Sequence, residues 1–248
     1  MLGINMNNIK KLQPEVQKKF VPYLESMIEI YGDEIVSVFI YGSAAAGGYN
    51  TGVSDINSAF VLKDLKFSVL KKGLKIVSKG INASVAAPLF LTKEYISSSL
   101  DVFPIEFIDM KENHILVCGQ DVLSGLEIRG EHIRLFCEQQ IKGKLVRMRQ
   151  AYLEVGLSRK GMLSLMKDSL NSLVPVFRNL IRFKGENPPV SKAEILERLS
   201  ALFGLDVEVL LGVWGSRKGK KIATGDVETL AGKFMNEVEK LSVIVDKL

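Results

Sequence analysis

Four residues in the first half of the chain have the types and spacing that phosphate chemistry requires. Gly42 and Ser43 follow a short β-branched and aromatic segment, and a glycine–serine turn after a strand can present N–H groups and a hydroxyl to phosphate oxygens. Asp55 and Asn57 come shortly after, and their i, i+2 spacing on a strand places both side chains on one face. We therefore expect that face to look towards phosphates bound at the turn.

Glu106 adds a second carboxylate to this set. It interrupts the apolar segment 102–110, which predicts a strand, and a charged side chain within such a segment is explained by a partner. Hard divalent cations such as Mg²⁺ take oxygen ligands, and phosphoryl transfer with two metal ions needs two or three carboxylates beside the phosphates. The chain supplies Asp55, Glu106 and the neutral Asn57. Taken singly, these residues also have ordinary interpretations in turns or caps.

The elements that must position these residues alternate between helix and strand. Apolar residues three and four apart predict helices, and short β-branched or apolar segments predict strands. The predicted order is helix 14–31, strand 35–41, strand 55–62, helix 67–80, and strand-like segments 83–91 and 102–110. Strands interleaved with helices indicate a small α/β domain.

Beyond Leu123 the strand signals stop and only helical spacing remains. This change of pattern predicts an antiparallel helical bundle in the second half of the chain. We therefore expect two domains. The first, over 1–125, is an α/β (α+β) domain with a mixed sheet, and the second, over 126–248, is all-α.

Composition excludes several classes of protein. Of the 248 residues, 47% are hydrophobic and 25% charged, which is ordinary for a globular protein and excludes disorder and fibrous structure. No apolar segment has the roughly 20 residues that a membrane span needs, and the N-terminus lacks the apolar region of a secretory signal. We therefore expect a cytoplasmic protein without a membrane partner. Cys118 and Cys137 form no CxxC pair, which argues against a disulfide scaffold or a zinc ribbon.

Charge divides the chain. Positions 1–125 carry 12 Lys and Arg against 13 Asp and Glu, whereas positions 126–248 carry 21 against 15. A basic half can attract phosphates or nucleic acid, although solvated helix faces explain such an excess as well. Trp214 and the basic segment 215–221 could likewise hold phosphate or a nucleic-acid backbone, or form a solvated loop.

Two groups of residues resemble known families. The segments Tyr41–Ser43 and Ser54–Asn57 resemble the signature of polymerase-β-type nucleotidyltransferases, in which Gly-Ser is followed at some distance by Asp-x-Asp. Within that superfamily, Phe103–Phe107 followed by Leu116–Gly119 is similar to the aminoglycoside adenylyltransferases of the streptomycin/spectinomycin type. The resemblance implies a nucleotidyltransferase domain followed by a C-terminal helical bundle.

The resemblance also implies roles for individual residues. Gly42 and Ser43 would bind the nucleotide phosphates. Asp55, Asn57 and Glu106 would hold Mg²⁺ or Mn²⁺, and Glu106 would also deprotonate the acceptor hydroxyl. ATP or another nucleoside triphosphate would be the donor. The implied reaction is transfer of a nucleoside monophosphate, AMP where the donor is ATP, to a hydroxyl group of a small molecule or a macromolecule.

Asn57 departs from the family pattern, in which the second metal-binding residue is an aspartate. An asparagine offers one neutral carbonyl oxygen in place of a charged carboxylate, which weakens the assembly of a metal pair. Two further hypotheses therefore stay open. One is a degenerate relative that binds nucleotide or regulates without transfer, and the other is a module that binds nucleic acid or protein through the basic half. The sequence does not identify the acceptor, and the basic second half does not favour a polycationic aminoglycoside.

Overall fold

The computed structural model describes residues 3–215 and 226–248. The chain divides into two compact units, Met1–Ile128 and Arg129–Leu248. The first unit combines a mixed four-stranded sheet with helices, and the described part of the second unit is helical. The predicted fold class, an α+β domain followed by an all-α domain, is confirmed.

Strands and helices alternate along the first unit. In chain order the elements are α1 (Met6–Ile9), α2 (Pro14–Tyr31), β1 (Ile35–Tyr41), β2 (Asn57–Leu62), α3 (Phe67–Asn82), β3 (Leu89–Leu91), α4 (Lys93–Ser98), α5 (Pro104–Glu112) and β4 (His114–Gly119). The strand order in the sheet is β3-β2-β1-β4. β1 pairs antiparallel with β2 and β4, whereas β2 and β3 are parallel and α3 connects them.

Alternating residues of β1 and β2 form two cores, one on each face of the sheet. Val38 and Ile40 are buried on the face that α2 and α3 cover. Phe39 and Val61 are buried on the opposite face, where α5 contributes Phe107. Because successive strand residues point to opposite faces, the position of a residue along β1 or β2 determines which core it joins.

Both outer edges of the sheet are short or covered. At one edge, β3 is three residues long. At the other edge, the N-terminal segment pairs with β4: Ile4 forms an antiparallel bridge with Cys118, and the Asn5 amide donates to the Val117 carbonyl at 2.8 Å. The Asn8 side chain donates to the Leu116 carbonyl at 2.8 Å. The N-terminal residues are therefore part of the sheet edge.

The prediction of a strand over 83–91 is wrong except at Leu89–Leu91. Ser84 adopts a left-handed conformation with φ of 63°, and the Val85 amide donates to the Gly80 carbonyl at 2.9 Å, which closes the C-terminal end of α3. The chain therefore turns first, and before β3 only Val85 pairs, in an isolated parallel bridge with Ile56. Pro88, which has no N–H to donate, directly precedes β3.

The prediction of a strand over 102–110 is also wrong, because this segment contains helix α5. Pro104 occupies the first turn, where its missing N–H is not needed. Phe107 and Met110 lie three residues apart and both pack against the core with Phe39 and Val61. The apolar residues of this segment therefore have helical spacing, which its β-branched content obscures.

Helices make up the described part of the second unit. They are α6 (Gly130–Val155), α7 (Arg159–Phe183), α8 (Lys192–Phe203), α9 (Val207–Gly215) and α10 (Asp226–Asp246). α6 packs against α7 and α10, and α7 also packs against α8 and α9. Residues 216–221 of the basic segment lie outside the described part of the chain. No described helix is both long and apolar enough to cross a membrane.

Candidate functional site

The Gly-Ser turn directly follows β1. Gly42–Ala44 forms one turn of 3₁₀ helix, and Gly42 has a φ of 72°, a left-handed conformation that favours glycine. The amides of Ala45 and Ala46 donate to the Gly42 carbonyl at 3.1 and 3.0 Å, and the Gly48 amide donates to the Ser43 carbonyl at 2.9 Å. These bonds fix the turn from within.

Two side chains of the α2 region attach the rest of this loop to the domain. Gln13, directly before α2, donates from its side-chain amide to the Gly47 carbonyl at 3.1 Å. The Lys19 ammonium donates to the Tyr49 hydroxyl at 3.3 Å and lies 5.8 Å from the centre of its ring. Tyr49 is itself buried. Two side chains therefore attach the loop to the domain, one from α2 and one from the residue directly before it.

Asn57 lies beside the turn. It is the first residue of β2 and pairs with Tyr41, the last residue of β1. A Cβ atom added to Gly42 would lie 3.4 Å from Asn57 Nδ2. The structure therefore places Asn57 next to the turn, and the assignment of the two to one site stays a prediction.

Asp55 is exposed and lies two residues before the start of β2. Between it and Asn57, the Ile56 side chain is fully buried in the core on the α2 side of the sheet. The Ile56 amide donates to the Ser84 carbonyl at 2.9 Å, and its carbonyl accepts from the Ala86 amide at 3.0 Å. Because side chains alternate along this extended segment, those of Asp55 and Asn57 lie on the opposite side of the sheet from that of Ile56.

Glu106 lies on the first turn of α5 and is exposed. An acidic residue in a first turn is favourable beside the positive end of the helix dipole, so its presence needs no buried partner, contrary to our expectation for a strand. α5 covers the same face of the sheet to which alternation assigns Asn57. Asp109 follows by three residues, so on this helix it shares a side with Glu106, whereas a strand would place the two on opposite faces.

Two of the three predicted metal ligands, Asp55 and Glu106, are carboxylates, and the third, Asn57, is neutral. Among the residues that the structure describes, no three His, Cys, Asp or Glu side chains come together as a metal site. Mg²⁺ commonly binds through one or two carboxylates together with substrate phosphates and water. Asp55, Glu106 and the Asn57 carbonyl are oxygen donors of the right kind for such a site, although their assignment as ligands stays a prediction.

His114 and Tyr41 also belong to this end of the sheet, and sequence reasoning gave neither a role. They are cross-strand partners in β4 and β1. His114 Nδ1 donates to the Lys111 carbonyl at 3.2 Å, and Nε2 lies 3.4 Å from Asp121 Oδ1. Its side chain is only 12% exposed, and its ring meets that of Phe39 edge-on at 5.8 Å. Burial raises the pKa of the Tyr41 phenol above its ordinary value.

Asp121 holds His114 from a fixed position. Its Oδ1 atom accepts from the amides of Leu123 and Ser124, each at 3.0 Å. The only sequence signal for His114 and Tyr41 is that each lies at the end of a strand. Their alignment follows from the strand register, which the spacing of apolar residues does not contain.

No protein-family model matches the sequence, and no curated protein matches it either. Solved structures do match. One of them is the spectinomycin adenyltransferase AAD(9) from Enterococcus faecialis, crystallised with ATP and spectinomycin. The match has 12% sequence identity and a TM-score of 0.49, and it covers 90% of this chain and 98% of that chain.

Proposed function

We propose that the first unit binds a nucleoside triphosphate at the Gly42–Ala44 turn together with Mg²⁺, and that it transfers the nucleoside monophosphate to a hydroxyl acceptor. With ATP as donor, the transferred group is AMP. The observation that carries this proposal is the position of Asn57 beside the turn, where its Nδ2 atom lies 3.4 Å from the place that a Cβ atom on Gly42 would occupy. It joins a turn suited to phosphate with the strand end that Asp55 precedes.

The reaction forms one bond and breaks one. The acceptor hydroxyl oxygen attacks the α-phosphorus, the bond from that phosphorus to the bridging oxygen breaks, and pyrophosphate leaves. Glu106, exposed on the first turn of α5, takes the hydroxyl proton. Asp55 and Asn57 supply oxygen ligands, and the bound metal ion supplies positive charge that stabilises the charge on the phosphates.

Asn57 limits the rate of this reaction. Its carbonyl is a neutral ligand, so the site holds one negative charge fewer than a site with aspartate there. Removal of a single electrostatic stabiliser from an active site typically slows turnover by about 10²-fold or more. We therefore expect slow transfer with a single metal ion.

A second candidate function is nucleotide binding without transfer. The neutral Asn57 favours it, as does the lack of a three-carboxylate cluster among the described residues. In this case the turn still binds triphosphate, and the protein acts as a nucleotide-responsive regulator. A third hypothesis, binding of nucleic acid or protein through the basic second half, depends on charge alone.

Calorimetric titration with ATP, CTP, GTP and UTP, each with and without Mg²⁺, tests the proposal. We expect Mg²⁺-dependent binding of one nucleotide, weakened at least tenfold by Asp55→Ala. The matched control is Asp33→Ala, because Asp33 is equally exposed but lies before the opposite end of β1.

Acceptor screening with release of pyrophosphate as the readout then separates the first two candidates. Transfer that Glu106→Ala abolishes, with nucleotide binding retained, supports the enzyme. Binding without transfer to any acceptor supports the regulator. If no nucleotide binds, both are wrong, and nucleic-acid binding that weakens steeply with salt and survives Asp55→Ala would support the third hypothesis.

A further inference from the structure

α3 exposes a line of apolar side chains. Phe67 and Leu74 are 81% and 62% exposed, and Leu70 and Ile81 are also exposed. Their spacings of three, four and seven residues place all four on one side of the helix. We call these four residues the α3 ridge. α3 is also the most strongly amphipathic of the described helices.

The α3 residues that pack against the core, Val69, Ile76 and Val77, lie outside the ridge. α3 packs through the side that carries Gly73 and Gly80, where added Cβ atoms would lie 2.5 Å from the Tyr31 hydroxyl and 2.7 Å from Tyr23 Cε2. The Tyr31 hydroxyl also donates to the Val69 carbonyl at 3.1 Å. Close approach at the two glycines thus fixes α3 on α2 and leaves the ridge in solvent.

Positive charge is concentrated beside the ridge. Lys71, Lys72, Lys75 and Lys79 follow the adjacent sector of the helix, and α3 contains no acidic residue. Positions 63–82 hold six lysines and one aspartate, whereas the rest of 1–125 holds six Lys and Arg against twelve Asp and Glu. Half of the basic residues of positions 1–125 are therefore concentrated in this short segment, and the remainder of these positions carries a net negative charge.

We propose that α3 docks the protein on an anionic lipid bilayer as a peripheral contact. The ridge inserts at the boundary between headgroups and acyl chains, and the lysines bind lipid phosphates. Lysine stems can extend along the apolar layer while their ammonium groups reach the headgroups. The sequence predicts no membrane partner because it lacks a membrane-spanning segment. Contact with the surface of a bilayer requires no such segment.

The shape and charge of this surface favour a lipid occupant over a protein. A protruding Phe67 would need a matching cavity in a folded partner, whereas a bilayer deforms around it. A second copy of α3 would bring lysines towards lysines, which is repulsive. An anionic bilayer complements the apolar line and the uniform charge together.

Co-sedimentation with vesicles tests the proposal. The full chain is mixed with vesicles of phosphatidylcholine alone, or of phosphatidylcholine with phosphatidylglycerol. We expect it to sediment only with the anionic vesicles, and less at high salt. The double variants Phe67→Ser with Leu74→Ser, and Lys71→Gln with Lys75→Gln, should each lower binding at least tenfold.

Two controls keep the result specific. Leu153→Ser removes an equally exposed apolar side chain from α6, and Lys10→Gln with Lys11→Gln removes two exposed lysines from the first unit. Both should bind like the unchanged protein. Because all these residues are exposed, unchanged circular dichroism melting should show that every variant is folded.

A spectroscopic readout adds a direct test of insertion. In Phe67→Trp, the new indole should shift its emission to shorter wavelength with anionic vesicles, measured against the Trp214 background of the unchanged chain. Equal sedimentation with neutral vesicles, or none with either kind, overturns the proposal. So does a dimer in light scattering that the Phe67 and Leu74 variant converts to a monomer, because the ridge would then be a self-association surface.

Discussion

A methyl group on the Cα atom of Gly42 would lie 3.4 Å from Asn57 Nδ2. The Asn57 side chain therefore lies next to the turn after β1, close enough to touch any side chain placed at position 42. The surroundings of the side chain at position 57 therefore depend on the backbone conformation at position 42.

Gly42→Ala should destabilise the protein. Its φ of 72° costs a residue with a Cβ about 1–2 kcal/mol, whereas the 3.4 Å contact itself is tolerated. We expect the free energy of unfolding in urea to fall by about that amount. Gly48→Ala is the control in the same loop, because its Cβ would meet only the Ser43 carbonyl at 3.9 Å. An equal loss in both variants would show that strain at Gly42 is not the cause.

Asn57→Asp should strengthen the Mg²⁺ dependence of nucleotide binding and raise the transfer rate by about 10²-fold, because it restores one negative charge to the site. Calorimetry and pyrophosphate release measure the two effects. Asn57→Ser, which shortens the side chain without adding charge, separates the gain of charge from the loss of the amide. If Asn57→Asp leaves both quantities unchanged, Asn57 is not a metal ligand.

Substitution of alanine for a helical glycine should lower the stability of the protein at one position and raise it at another. In α3, a Cβ at Gly80 would lie 2.7 Å from the ring of Tyr23, which is buried near Phe20 and Phe60. Overpacking of this kind costs about 1–3 kcal/mol, more than the gain of up to about 1 kcal/mol from helix propensity. In α10, a Cβ at Gly232 meets nothing within 4 Å.

Gly80→Ala should therefore lower the melting temperature, and Gly232→Ala should raise the free energy of unfolding by about 0.5–1 kcal/mol. Differential scanning calorimetry measures both. Stabilisation by Gly80→Ala would mean that Tyr23 moves aside at little cost. In that case the two glycines of α3 do not define its distance from α2.

Stability should fall at high pH because of Cys137. Burial raises the pKa of its thiol from 9.0 to about 12. The stabilising contribution of the protonated Cys137 thiol is fully present below pH 9, where the thiol is protonated in both the folded and the unfolded state. It is lost between pH 9 and 12, where only the unfolded state ionises. At about pH 10.5 the loss is on the order of 2 kcal/mol.

Urea unfolding of the unchanged chain and of Cys137→Ala, at about pH 8 and about pH 10.5, measures this effect. Buried Tyr23 and Cys118, whose pKa values are also raised by burial, act in the same direction but cancel in the difference between the two proteins. The stability of the unchanged chain relative to Cys137→Ala should fall at the higher pH. A difference that stays constant with pH would contradict the prediction.

Regular periodicity was sufficient to predict some elements of the fold. α2 and β1 begin and end at the predicted residues, because each carries an uninterrupted pattern that its core then buries. α5 was predicted as a strand because β-branched residues obscure its helical spacing, and Pro104 favours a helix start as readily as a turn. The short segment offered too few turns to distinguish the two periods.

The site was predictable in part. Gly42 and Asn57 could be associated from their spacing along the chain, and in the structure the Asn57 side chain lies beside the turn. The alignment of Tyr41 with His114 could not be predicted, because it depends on the register of β1 against β4, and these strands are far apart in sequence. Hydrophobic periodicity indicates the face of a residue but not its partner in the next strand.

The covered and shortened edges of the sheet bear on how the protein behaves at high concentration. An exposed strand edge is a template on which a strand of another molecule can add, and such addition can propagate into aggregates. The N-terminal segment at Ile4 and Asn5 pairs with β4 on one side, and three-residue β3 offers little backbone on the other. Loss of the first few residues by proteolysis should therefore uncover the edge of β4 and make the protein more prone to aggregate through its sheet.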